Sequence, residues 1–120
     1  MPSRVDKTKI YDMADQLAEL CRQAGGEPYV EKDGLIAKVK CKLKHPAHVF
    51  MHYIPRSYKA FVNITEHEVE LKEIEGIDIF GSSGAVTTHI DIGEFSTSYS
   101  TVVNEIEFIV KPKKLDVWIS

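Results

Sequence analysis

Lys38, Lys40, Lys42 and Lys44 are the most regular chemical feature of the chain. They alternate with Leu35, Ala37, Val39, Cys41 and Leu43, which is the period of a half-buried strand. Alternate residues of a strand share one face at a repeat of about 6.8 Å, so the four ammonium groups form a ridge about 20 Å long. Phosphates along a nucleic-acid strand repeat at a comparable distance, which makes the ridge a candidate backbone tracker. Phe50, Tyr53, Tyr58 and Phe61 follow and are candidate stacking surfaces for bases. A second stripe of opposite sign comes later, where Glu66, Glu68 and Glu70 alternate with His67, Val69 and Leu71. If the two stripes lie on neighbouring strands, each cross-strand pair contributes about 0.2–1 kcal/mol and the positive potential cancels. A solvated or internally paired lysine face is the ordinary outcome for such a strand and outweighs the nucleic-acid site.

His48 and His52 suggest a metal site only if their segment coils. On a strand they share a face with Phe50 between them, about 13 Å apart, too far for one ion. On a helix they would stand one turn apart and both could ligate. Val49, Phe50, Tyr53 and Ile54 favour the strand. His89 shares a strand face with Asp91, and His67 has glutamate neighbours, so hydrogen-bonded histidines are the simpler expectation. Gly81-Ser82-Ser83-Gly84 lacks the lysine and the following helix of a phosphate loop and is expected to be a hairpin loop. Ser82 or Ser83 with His89 and Asp91 has the composition of a triad but no supporting spacing. Glu105 and Glu107 share a face without further acid–base signal. No catalytic residue, metal or cofactor is assigned. A small enzyme or metal protein using His48, His52 or His89 is the third functional alternative.

The elements that would position these groups follow from periodicity. Residues 4–24 place Ile10, Met13, Ala14, Leu17, Cys21 and Ala24 on one helical stripe, with charged residues around the rest. Ser3 and Asp6 resemble a capping box, and Gly25-Gly26 ends the helix. From residue 27 onward the period is two. Asp33-Gly34 marks a hairpin, 35–44 a strand stopped by His45-Pro46, and 47–54 with 58–64 a second hairpin about Pro55. Residues 65–75 read as strand or helix, with strand favoured. Strands follow at 77–80, 85–92, 99–110 and 115–119. Residues 99–110 put Val102, Ile106, Phe108 and Val110 on one face. The last segment is apolar on both faces, which marks Trp118 as a candidate self-association element.

These elements predict an α+β domain: one amphipathic helix packed on a curved, mainly antiparallel sheet of seven to nine strands, as a partial barrel or sandwich. The 120 residues suit a single domain with its own core, and 28% charged residues exclude a collagen or disulfide scaffold. No apolar run reaches the length of a membrane helix and the charged start leads into no signal core, so a cytoplasmic protein is expected. Cys21 and Cys41 both fall on apolar faces and are expected to be buried reduced thiols; a bond between them requires the helix to lie over that strand. Few amides beside many Lys, Glu and Ile lean towards a thermophilic source. Charge is segregated: residues 32–60 carry seven bases and one acid, residues 61–110 ten acids and one base. Segregation of this kind favours a binding or assembly module that works through charged sheet surfaces. Its partner would be another protein or a second copy, with nucleic acid as the alternative and no membrane.

Overall fold

The computed structural model describes residues 7–74, 76–84, 86–92 and 96–111. Helix α1 spans Lys7–Gln23 and buries Ile10, Met13, Ala14, Leu17, Ala18, Leu20 and Cys21. The buried set is the expected stripe widened by Ala18 and Leu20, with Ala24, just past the helix end, only partly buried against the core. Gly25, at φ 85°, stops the helix in the left-handed region that glycine enters without steric cost. The expected start at residue 4, with its Ser3–Asp6 cap, lies outside the described residues.

Among the described residues seven strands follow: β1 (Glu27–Asp33), β2 (Ile36–Ile54), β3 (Lys59–Ile64), β4 (His67–Lys72), β5 (Gly76–Ser83), β6 (Val86–Ile92) and β7 (Thr97–Lys111). They form one antiparallel sheet in the order β4-β3-β2-β7-β5-β6, with β1 pairing β2 beside its first half. The sheet does not close into a barrel. Of the ambiguous segment 65–75, the described residues 65–74 form a turn at Thr65-Glu66 followed by β4, as the alternation favoured.

Residues 35–44 and 47–54 are one strand, not two. β2 runs for 19 residues, and the register against β7 slips between Lys42 and Ala47. The irregularity absorbs His45 and Pro46, so a residue without an N–H costs no ladder bond there. Ala37, Val39 and Cys41 before the slip and Val49, Met51 and Tyr53 after it are all buried. The slip therefore preserves which face is wet.

α1 lies across the inner face and contacts β2, β1, β4 and β7. Tyr11 donates its hydroxyl to Gly34 O at 2.7 Å, and Lys32 pairs with Asp15 at 3.0 Å. Both contacts strap the helix to the β1–β2 hairpin. The helix does lie over β2, and Cys21 and Cys41 are joined as a disulfide with Cα atoms 5.8 Å apart. The expectation of reduced thiols is thereby corrected. Gly26 packs directly on this bond: a Cβ there would lie 2.8 Å from Cys41 Sγ and 2.9 Å from Cys21 Sγ.

Gly81 is a second packing glycine, and it overturns the expected 81–84 loop. It sits inside β5, opposite Ile106 of β7 and Thr88 of β6. Tyr99 reaches over it to Thr88, with the two hydroxyl oxygens 2.6 Å apart. Only Gly84, at φ 60°, is left as the described part of the turn.

Candidate functional site

The outer face of the sheet carries the side chains that alternate with the core. On β2 these are Lys38, Lys40 and Lys42 in the first half and His48, Phe50 and His52 in the second. The lysines stand in a column, as the period predicted. Their neighbours are not Glu66, Glu68 and Glu70. On the β1 side Lys38 faces Glu31, Lys40 faces Tyr29 and Lys42 faces Glu27. On the β7 side Lys38 faces Ile109, Lys40 faces Glu107 and Lys42 faces Glu105. A column of three cations is thus bracketed by two columns that each carry two carboxylates. Lys40 Nζ lies 3.6 Å from Glu105. Lys42 Nζ sits 5.7 Å from the centre of the Tyr29 ring, a distance at which the aromatic quadrupole attracts a cation. Tyr29 donates its hydroxyl to Glu27 at 3.1 Å. That bond first, then the carboxylate charge, pushes the phenol above its ordinary value.

An open depression of about 610 Å³ runs along these columns, lined by Tyr29, Val30, Glu31, Lys38, Lys40, Lys42 and Glu107. Tyr29 is 49% exposed and offers a ring face to it. Lys44, within the irregular stretch of β2, lines a separate shallow pocket with Arg22, Gly26 and Glu27. The four lysines therefore do not make one uninterrupted ridge: three are in column and the fourth turns to the end of α1.

Glu68 and Glu70 lie on β4 opposite Asn63 and Phe61, and Glu66 is at the turn before it. β3 separates them from the second half of β2, and they lie away from the lysines. Here the outer face holds Phe50, Phe61 and Asn63. His48 Nε2 bonds Ser100 Oγ and His52 Nδ1 bonds Ser98 Oγ, each at 2.8 Å. The expected strand geometry of the two histidines is observed, and among the described residues no group of His, Cys, Asp or Glu is placed to hold a metal ion.

The aromatic residues expected to stack on bases do not converge. Tyr53 is 1% exposed and donates its hydroxyl to Ile74 O, so it belongs to the core. It has the odd parity of β2 and points inward with Met51. Tyr58 is exposed at the end of the 3-10 turn 55–57, where its φ is 52°. Phe50 is 37% exposed, on the far side of the irregularity from Lys42. Val102 is also reassigned: it is 54% exposed, while Val103, Ile106, Phe108 and Val110 are buried. The inner parity of β7 changes between Val103 and Ile106, where its partner β2 slips.

One cluster was missed by the sequence reading. Asp78 on β5 accepts hydrogen bonds from Lys111 Nζ at 2.7 Å and His89 Nε2 at 3.1 Å. Partial burial pushes its carboxyl up, but the bonds from Lys111 and His89 outweigh this and hold it below the ordinary value. Phe80 stacks on the His89 ring with centroids 4.2 Å apart. The side chain of Asp91, the expected partner of His89, lies outside the described ones; the observed partner of His89 is Asp78, across the hairpin. The signal was available only as charge on separate segments. Trp118 and the 115–119 segment lie outside the described residues. Among the described residues no helix is long and apolar enough to cross a membrane.

Searches against protein-family models, curated proteins and solved structures return no match to this chain.

Proposed function

We propose that this domain is a binding module that docks a protein segment of mixed charge on the outer face formed by β1, β2 and β7. The supporting observation is the bracketed column: Lys38, Lys40 and Lys42 between Glu27 and Glu31 on one side and Glu105 and Glu107 on the other. A polyanion laid along the lysines would run between two rows of carboxylates, which repel it. A peptide bearing both signs meets an opposite charge on whichever column it covers, and the exposed Tyr29 ring supplies an apolar contact. This face carries hydrogen-bonded histidines and serines, and among the described residues no nucleophile, base and oxyanion donors are arranged together, so binding is favoured over catalysis.

The probes are synthetic peptides of alternating lysine and glutamate, a glutamate homopolymer, heparin and an oligothymidylate, each titrated into isotopically labelled protein. The mixed-charge peptide is expected to shift the amides of Tyr29, Lys38–Lys42 and Glu105–Glu107, with little response to heparin or the oligonucleotide. Strong retention on heparin, or oligonucleotide shifts centred on Lys38–Lys44, would replace this function with nucleic-acid binding. The Cys21–Cys41 bond bears on location. Such bonds persist in oxidising compartments and in the cytosol of hyperthermophiles. A cytoplasmic setting is therefore proposed only together with a thermophilic source, the one the composition suggested.

A further inference from the structure

The disulfide is buried but thinly roofed. Cys21 and Cys41 are both closed off from solvent. Gly26, in the link from α1 to β1, lies so close that a Cβ on it would press on both sulfurs. The residue that covers the bond there has backbone and no side chain. Gly26 also lines the shallow pocket of about 420 Å³ that Lys44 borders, together with Arg22, Gly25, Glu27, Lys42 and Leu43. One glycine thus touches the sulfurs and the pocket alike.

Charge around this pocket is one-sided. Its walls carry Arg22, Lys42 and Lys44 against Glu27. Part of the excess is offset from outside: Arg22 pairs with Glu19 at 3.2 Å, and Lys42 faces Glu105 on β7. The first pair joins two exposed side chains, where water leaves little of the attraction. An anion entering the pocket therefore meets net positive charge. Beside a disulfide this has a chemical consequence. Exchange with an outside thiol runs through thiolates, one attacking and one leaving, and nearby cations favour both. The link that must lift is Gly25-Gly26. Its N–H groups are held on Arg22 O at 3.0 Å and Cys21 O at 2.8 Å. A pair of glycines has no side-chain packing to lose when those two bonds open.

We propose that Cys21–Cys41 is an exchangeable disulfide, opened through this pocket by a small thiol that carries negative charge. The incoming thiolate bonds to one sulfur as the S–S bond breaks, and the other cysteine leaves as a thiolate. A second thiolate bonds to the sulfur of the first and displaces the remaining cysteine. The two outside thiols end as their own disulfide, and the protons they gave up pass to Cys21 and Cys41. The same steps in reverse close the bond. Opening unties the end of α1 from β2, while the Tyr11–Gly34 and Lys32–Asp15 contacts still strap the helix to the β1–β2 hairpin. This does not rest on the docking of a mixed-charge segment.

The test treats native protein, at one pH, with mercaptoethanesulfonate, mercaptoethanol or cysteamine, which carry a negative, no and a positive charge. Opened chains are counted by mass spectrometry after alkylation. Each rate is divided by that of the same protein unfolded in urea, which removes the thiol's own reactivity. The sulfonate is then expected to exceed the amine about fivefold, an advantage that concentrated salt abolishes. The Arg22→Gln, Lys44→Gln variant is expected to lose most of that advantage with an unchanged circular dichroism spectrum. Equal normalised rates for the three thiols in wild type overturn the proposal. Opening at a rate independent of thiol concentration and equal to that of global unfolding overturns it too, because the bond then reacts only in the unfolded chain. So does a charge preference that survives intact in the variant.

Discussion

At the residue scale, two glycines are fixed by what touches them. A methyl at Gly26 would press on both sulfurs of the disulfide, and one at Gly81 would lie 2.6 Å from the Tyr99 hydroxyl and 2.9 Å from Val103 Cγ1. Gly26→Ala and Gly81→Ala are each expected to lower stability by about 1–3 kcal/mol, the usual cost of overpacking, measured by urea denaturation. Tyr99→Phe loses only the bond to Thr88 and is expected to cost about 1 kcal/mol. Asp78 gives a pH signature. Its folded carboxyl ionises below its unfolded value, so its stabilising contribution is complete above about pH 4 and is lost as pH falls through the folded value. Wild type is therefore expected to lose more stability than Asp78→Asn between about pH 5 and about pH 2, with thermal scans as the readout. None of these three constraints was legible in the sequence. A glycine in a run of serines reads as a loop until the tyrosine that crosses it is known, and the partners of Asp78 are a lysine on β7 and a histidine on β6 brought near by strand register alone.

At the scale of elements, the helix and the alternation of the strands were legible because each is a local period with one wet face. The stripe from Ile10 to Cys21 and the odd-numbered core of β2 are buried where the pattern put them. What local periodicity does not carry is adjacency. The lysine column was visible from residues 38–42, but its neighbours come from β1 and from β7, and β7 begins more than fifty residues after Lys42. The sequence offered Glu66, Glu68 and Glu70 as equally good partners, and only the strand order rejects them. Pro46 misled in a different way. It reads as a strand end, and it is tolerated because three extra residues of β2 are accommodated between two paired stretches. The disulfide joins the end of α1 to the middle of β2 across a separation of 20 residues. Closing a loop of that size stabilises by about 3 kcal/mol in the chain-entropy account. The Cys21→Ala, Cys41→Ala double variant is expected to fold with the same circular dichroism spectrum and a melting temperature lower by several degrees, and reductant is expected to have no further effect on it.

At the scale of the whole molecule, the sheet has one face committed to α1 and one face that no described element covers, and charge on that outer face is balanced by position rather than by sequence segment. The segregation of bases into 32–60 and acids into 61–110 leaves two arrangements open, in which the segments face each other or each faces a partner of opposite sign. Folding sets lysines of the first segment against Glu105 and Glu107 of the second, because β7 inserts between β2 and β5. A weakly retained, salt-insensitive elution from heparin is the expected whole-molecule result, and the triple variant Glu27→Gln, Glu105→Gln, Glu107→Gln is expected to be retained more strongly, since it unmasks the lysine column.

The long ladder of β2 with β7 has a bearing on how the molecule comes into being. Ala37 pairs with Val110, and Tyr53 with Thr97. During synthesis the early hairpins and the β5–β6 hairpin can each form on emergence, yet among the described strands no pairing joins β1–β4 to β5–β6 until β7 arrives. A nascent chain halted before residue 97 would hold the whole length of β2 open on one flank. Passage from ribosome to finished protein is thus a race between completing the polypeptide and that bare flank finding a stranger.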